Sequence, residues 1–185
     1  MQVATRHFNV AEYYQMARAG VLTEDERVEL IRGEIVAMSP IGSRHAGCVK
    51  WLNRHLNRWA HGRFIISVQD PIHLDDDSEP QPDIAILKPR DDLYSAAHPM
   101  PGDVLLIIEV ADTSLGYDRE EKVPLYASAG IPEMWLVNLS EAVIEVYSNP
   151  VDGVYSPVRQ VARGGVLDAA SLPELSIRAA DILGR

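Results

Sequence analysis

The chain has 185 residues, 46% hydrophobic and 24% charged, which suits about one ordinary folded domain and excludes wholesale disorder. Its formal net charge is −10, from 17 Lys and Arg against 27 Asp and Glu, and this argues against an obligate nucleic-acid binder with its basic surface. Cys48 stands alone, which excludes an intrachain disulfide and a thiolate metal cluster; no apolar run nears the about 20 residues of a membrane span, so a soluble, cytoplasmic protein is expected.

In chain order, Val10, Tyr13, Met16 and Ala17 recur at helical spacing within Phe8 to Ala19, with Asn9 as N-cap and Gly20 as terminator. A second short helix is expected from Glu24 to about Glu29. Ile31 to Val36 reads as a hairpin or strand around Gly33, and Ser39 to Gly42 as a loop. Ser43 is the expected N-cap of a helix to about His61, whose apolar stripe is Ala46, Val49, Leu52, Leu56 and Trp59. Lys50, Arg54 and Arg58 fall at i, i+4, i+8 on another face. This helix lies in a segment, Ile35 to Gln69, without a single acid, so the negative net charge conceals a basic stretch.

Beyond Gly62 the pattern turns to strands: Phe64 to Val68, Ile84 to Leu87, and the continuous apolar run Val104 to Val110, typical of a sheet centre covered on both faces. A helical stretch to Gly130 follows, then strands Met134 to Val137, Ala142 to Tyr147 and Val154 to Val161, and a short helix near Ala179 to Leu183. The layout is mixed α/β with one sheet.

Glu109 ends the most apolar strand. A buried carboxylate needs a cation, a basic partner or an exit to water, and ligand sites of α/β sheets lie at such strand ends. Asp83 opens the strand Ile84 to Leu87; Pro-Asp alone is ordinary turn chemistry, but two carboxylates at neighbouring strand mouths can share a hard divalent cation. Asp118, Lys122 and Tyr126 stand at i, i+4, i+8, on one face if the segment is helical, and Pro124 suggests a helix that begins late, with the proline in its first turn. His45, at the start of the Ser43 helix, could meet a phosphate or simply cap the surface. Cys48, Trp51 and Trp59 read as packing residues, and Asp75 to Asp77 as a solvated loop.

The ordered set Pro82-Asp83, Ile107-Ile108-Glu109-Val110, Asp118-x-x-x-Lys122-x-x-x-Tyr126-Ala127-x-x-Gly130-Ile131-Pro132-Glu133-x-Trp135 resembles the Uma-type restriction endonuclease family of the PD-(D/E)xK nuclease superfamily. Glu29-Leu30-Ile31-x-Gly33-Glu34-Ile35-Val36-x-Met38-Ser39-Pro40, followed by His45, fits the family's N-terminal half, so the likeness spans nearly the whole chain. It implies a single restriction-endonuclease-like domain over residues 1–185, with a mixed central sheet flanked by helices, and family analogy adds a homodimer. It further implies a Mg²⁺ or Mn²⁺ site at Asp83, Glu109 and the Val110 carbonyl. The superfamily lysine two residues after the second acid is Ala111 here; the matching lysine is Lys122, on the following helix. The first acidic motif is Glu29 or Glu34.

The implied activity is metal-assisted hydrolysis of DNA phosphodiesters, with Lys122 orienting the attacking water or stabilising charge on the phosphate. Asp118, Tyr126 and His45 would support the site, and Lys50, Arg54 and Arg58 would contact the nucleic-acid backbone. The alternative is a nuclease-fold module that binds nucleic acid or protein without cutting. A glycosidase with paired carboxylates ranks last, because it leaves Lys122 and the basic helix unexplained.

Overall fold

The computed structural model describes residues 4–23 and 25–184. Helix α1 (Val10–Arg18) begins at Asn9, whose side chain accepts from the Glu12 N–H at 2.8 Å while Glu12 accepts from the Asn9 N–H at 3.1 Å, a reciprocal capping box. The short helix expected at Glu24 to Glu29 does not form. Glu24 lies outside the described residues, Asp25 to Arg27 are irregular, and Val28–Ile31 is strand β1, paired antiparallel with β2 (Glu34–Ala37). Arg32 and Gly33 join the two strands with φ of 49° and 79°, the doubly positive backbone of a tight hairpin turn. Four residues are too few to separate a strand from a helical turn by periodicity, which is why β1 reads wrongly from sequence.

Helix α2 (Ser43–Ala60) matches its expected span, but Ser43 is its first residue and Gly42 its N-cap, without a side-chain cap. The helix ends at His61 in the left-handed conformation, φ 47°. Strands β3 (Ile65–Ser67), β4 (Ile84–Leu87), β5 (Val104–Ala111), β6 (Glu133–Asn138), β7 (Val143–Ser148) and β10 (Val158–Ala162) form one six-stranded sheet in the order β10-β7-β6-β5-β4-β3. Only β5 and β6 are parallel; the other neighbours are antiparallel. The expected strand at Val154 to Val161 divides at Pro157, its first part being β9 (Val154–Tyr155), which pairs with β8 (Pro150–Val151). A further hairpin, β11 (Val166–Asp168) with β12 (Ser176–Arg178), goes beyond the elements read from sequence, and among the described residues three small hairpins accompany the sheet.

The parallel pair requires a crossover, and it is helical from Leu115 to Ser128: a turn of α-helix α3 (Leu115–Tyr117), a π-turn over Asp118–Lys122, and α4 (Val123–Ser128). In the π-turn the Val123 N–H donates to the Asp118 carbonyl, five residues back. Pro124 has no N–H to give, so the α-type ladder is interrupted here in any case, and the wider turn absorbs the interruption. Pro124 does stand in the first turn of α4, as the sequence suggests, but helical backbone continues upstream of it.

Both faces of the sheet are covered. Ile84, Ile86, Leu106, Ile108 and Val110 pack with Leu52 and Leu56 of α2 and with α5 (Ala179–Ile182). Ala85, Ile107, Ala111, Met134 and Leu136 pack with Leu125, Tyr126 and Ala127 of α4 and with Ile31 of β1. The alternation of β5 sends Ile108 and Val110 towards α2, and Ile107, Glu109 and Ala111 towards the crossover. Among the described residues no helix is long and apolar enough to cross a membrane.

Candidate active site

Because β4 runs antiparallel to β5, the start of β4 lies beside the end of β5, with Ile84 opposite Ile108. Asp83 and Glu109 are therefore neighbours. The Asp83 N–H donates to Glu109 Oε2 at 3.2 Å, and the Val110 N–H donates to Asp83 Oδ2 at 2.9 Å, so each backbone fixes the other strand's carboxylate. Both side chains border a cleft of about 470 Å³, which Glu29, His45, Asp118 and Lys122 also line.

The crossover supplies the cation. Lys122 donates to Glu109 Oε1 at 3.1 Å and lies 3.3 Å from Glu29 Oε2, while the Tyr126 hydroxyl, one turn on, donates to the same Glu109 oxygen at 2.8 Å. Glu29 is buried on β1 and accepts from the Gln81 N–H at 3.1 Å; Glu34 is exposed on β2. Of the two candidate first acids, the hairpin thus brings Glu29 to the cleft. The wide turn keeps Asp118 and Lys122 buried together, and Asp118 accepts from the Ser114 hydroxyl at 2.6 Å. Ala111, where the superfamily pattern carries its lysine, is 1% exposed and packed in the core on the crossover side.

On the α2 side, His45 meets Asp83 Oδ2 at 2.8 Å and Gln69 donates to Asp83 Oδ1 at 3.0 Å. Asp83 can only accept, so the proton of this bond sits on His45 Nε2. Lys50, Arg54 and Arg58 are exposed on the outer side of α2 and do not border the cleft; Arg27, which the sequence did not mark, does. Gln69, Gln81 and Tyr117 are further unmarked cleft residues, as are Asp112, Thr113 and Ser114. The glutamines come from irregular chain without periodicity, whereas Tyr117 directly precedes the Asp118 motif, and that adjacency was the available signal.

Four buried carboxylates, Glu29, Asp83, Glu109 and Asp118, border the cleft together with Lys122. Burial pushes Glu109 up to about 8; Lys122 opposes this and the neighbouring acids add to it. Burial likewise raises Asp118. It would discharge Lys122, but the attraction of Glu109, Glu29 and Asp118 outweighs it and holds the ammonium charged. Asp83 stays below its ordinary value despite burial, through its bonds from His45, Gln69 and the Val110 N–H.

These residues suit a hard divalent cation. Asp83 Oδ1 and Glu109 Oε2 each accept one hydrogen bond from the described residues, leaving a lone pair open on both, and acid exceeds base. Among the described residues no group of three or more His, Cys, Asp or Glu side chains is placed to hold a metal ion. Mg²⁺ does not require such a group, since it is usually held by one or two carboxylates and completes its shell with water and substrate phosphate.

Comparison with solved structures gives a match to a crystal structure described as a putative nuclease belonging to DUF820 from Anabaena variabilis ATCC 29413, at TM-score 0.73. The alignment covers 95% of this chain and 97% of that one at 13% identity, a likeness of fold alone. The mixed α/β, restriction-endonuclease-like architecture expected from the sequence is the one observed. Comparison with curated proteins gives no match. A family model, Uma2, described as "Putative restriction endonuclease", matches residues 10–180. The chain belongs to the Uma2 family.

Proposed function

We propose that the cleft hydrolyses DNA phosphodiesters with Mg²⁺ or Mn²⁺, as one nuclease domain spanning residues 1–185. The observation that carries this reading is Lys122, which leaves the crossover to stand within 3.3 Å of Glu109 and Glu29, beside Asp83. A lysine delivered from a helix does there what the strand position, Ala111, has no side chain to do.

Asp83, Glu109 and the Val110 carbonyl would hold the ion, which when bound polarises the phosphate and lowers the pKa of the attacking water. Lys122 is already protonated and cannot take up a proton, so it orients the water or stabilises charge growing on the phosphate rather than acting as base. Glu29 fixes the ammonium from its second side, and Tyr126 fixes Glu109. His45 and Gln69 hold Asp83 ionised and oriented. Lys50, Arg54 and Arg58, outside the cleft, serve the flanking phosphates. A homodimer and a cytoplasmic place of action belong to the same reading, on family likeness and on the lone cysteine.

The test incubates plasmid and single-stranded DNA with the protein in Mg²⁺ or Mn²⁺, beside Asp83→Ala, Glu109→Ala and Lys122→Ala. Cutting by the wild type and its loss in all three variants is expected. Cutting that persists in all three overturns the site, and DNA bound but left intact with either metal points to the non-cleaving module.

A further inference from the structure

Two buried polar side-chain atoms lack a hydrogen-bond partner among the described residues, His45 Nδ1 and the Tyr117 hydroxyl, and both residues border the cleft. Buried polar atoms are nearly always paired, so two orphans at one place mark where a partner is missing.

We propose that the Tyr117 hydroxyl is a substrate contact, donating a hydrogen bond to a non-bridging oxygen of a phosphodiester held in the cleft. Among the described residues no acceptor lies within hydrogen-bond distance of it. Glu29 takes the Gln81 N–H and Lys122, and Asp118 takes the Ser114 hydroxyl. The phenol is half-buried at the end of α3, immediately before the wide turn that carries Lys122, and both residues border the cleft. A phenol brings a donor without adding charge, and it does not compete with Lys122 for the surrounding acids as a second cation would. That suits a cleft which must admit an anion past four carboxylates. His45, whose Nε2 is committed to Asp83, also borders the cleft, and its Nδ1 is the other atom without a partner among the described residues.

The inference rests on the phosphodiesterase reading, and its test separates the two. Tyr117→Phe removes the hydroxyl alone. Three measurements are compared with the wild type: melting temperature, anisotropy binding of a fluorescein-labelled single strand in Ca²⁺, and cleavage of that strand in Mg²⁺ or Mn²⁺. Expected are an unchanged or slightly raised melting temperature, since no bond of the free protein is lost, and a fall in kcat/KM of about 10- to 100-fold, the worth of a hydrogen bond to a charged group. Binding weakens in the same direction. A lowered melting temperature shows a structural hydroxyl and overturns the proposal, as do unchanged binding and cleavage. If the wild type binds the strand but never cuts it, the nuclease reading fails while the binding arm alone still decides Tyr117; if it neither binds nor cuts, both readings fall.

Discussion

Glu109 and Glu145 lie in one cross-strand row, with Leu136 between them, and both point towards the crossover. Both meet a cation from the same wide turn, Lys122 for Glu109 and Arg119 for Glu145. Their chemistry nevertheless diverges. Arg119 grips Glu145 with Nε, 3.1 and 3.2 Å from its two oxygens, and with a terminal nitrogen, while the Tyr147 hydroxyl donates at 2.5 Å. Burial raises the pKa of Glu145, but these bonds outweigh it and hold the group below its ordinary value. Glu109 shares its lysine with Glu29, has Asp83 and Asp118 nearby, and is pushed up to about 8. One pair is closed upon itself. The other is left short of positive charge at the edge of a cleft, and a shortage of that kind is what a bound cation would relieve.

The sharpest way to break the contrast is to remove each cation. Lys122→Ala leaves the buried acids Glu29, Glu109 and Asp118 without their lysine and should cost about 3–5 kcal/mol in urea unfolding, besides abolishing cleavage. Arg119→Ala should cost less, about 1–2 kcal/mol, because its side chain is 37% exposed and Tyr147 still donates to Glu145. Equal losses would mean that the two pairs do not differ as described.

Neutralising the acids reverses the order. In EDTA, Glu109→Gln should leave stability unchanged or raise it by up to about 1 kcal/mol while eliminating cutting in metal, the trade expected of a site strained for function. Glu145→Gln should instead cost about 1 kcal/mol. The pH dependences should oppose each other. Glu109 ionises in the unfolded chain near 4.5 but in the folded one near 8, so metal-free protein loses stability as pH rises between those values, and Glu109→Gln removes that slope. Glu145 is depressed, so its contribution is present above about 4.5 and is lost as pH falls through its lower folded value; Glu145→Gln flattens that acid limb. Parallel slopes in the two variants would contradict the comparison.

The smallest effect belongs to the outer face of α2. Lys50→Glu, Arg54→Glu and Arg58→Glu should each change stability by no more than about 0.5 kcal/mol, while weakening DNA binding and its salt dependence. Salt-titrated anisotropy reads this directly, and an unaltered salt slope would remove the stripe from the DNA path.

Much of this arrangement is legible in the residues alone. The run Val104 to Val110 announces a central strand because burial on both faces demands continuous apolarity, and a carboxylate at its end announces a partner. Helix α2 is equally plain from Val49, Leu52 and Leu56. What escapes is whatever long-range pairing decides. Glu29 sits in a four-residue strand that only its partner strand defines, Gln69 and Gln81 come from irregular backbone, and the β11–β12 hairpin has strands of three residues. The wide turn is likewise silent, since Asp118, Lys122 and Tyr126 suit an ordinary helix as well.

The Glu29–Lys122 contact also bears on when the site comes into being. It joins positions separated by half of the chain, whereas hairpins such as β1–β2 close locally. During synthesis Glu29, Asp83 and Glu109 all emerge before the crossover, so a nascent chain carries three of the cleft's four acids without the ammonium that organises them. Closing so distant a contact is among the slower steps of folding, and the cleft is complete only in a chain already grown past the crossover. An incomplete product of translation therefore holds most of the acidic half of this centre and not the whole of it.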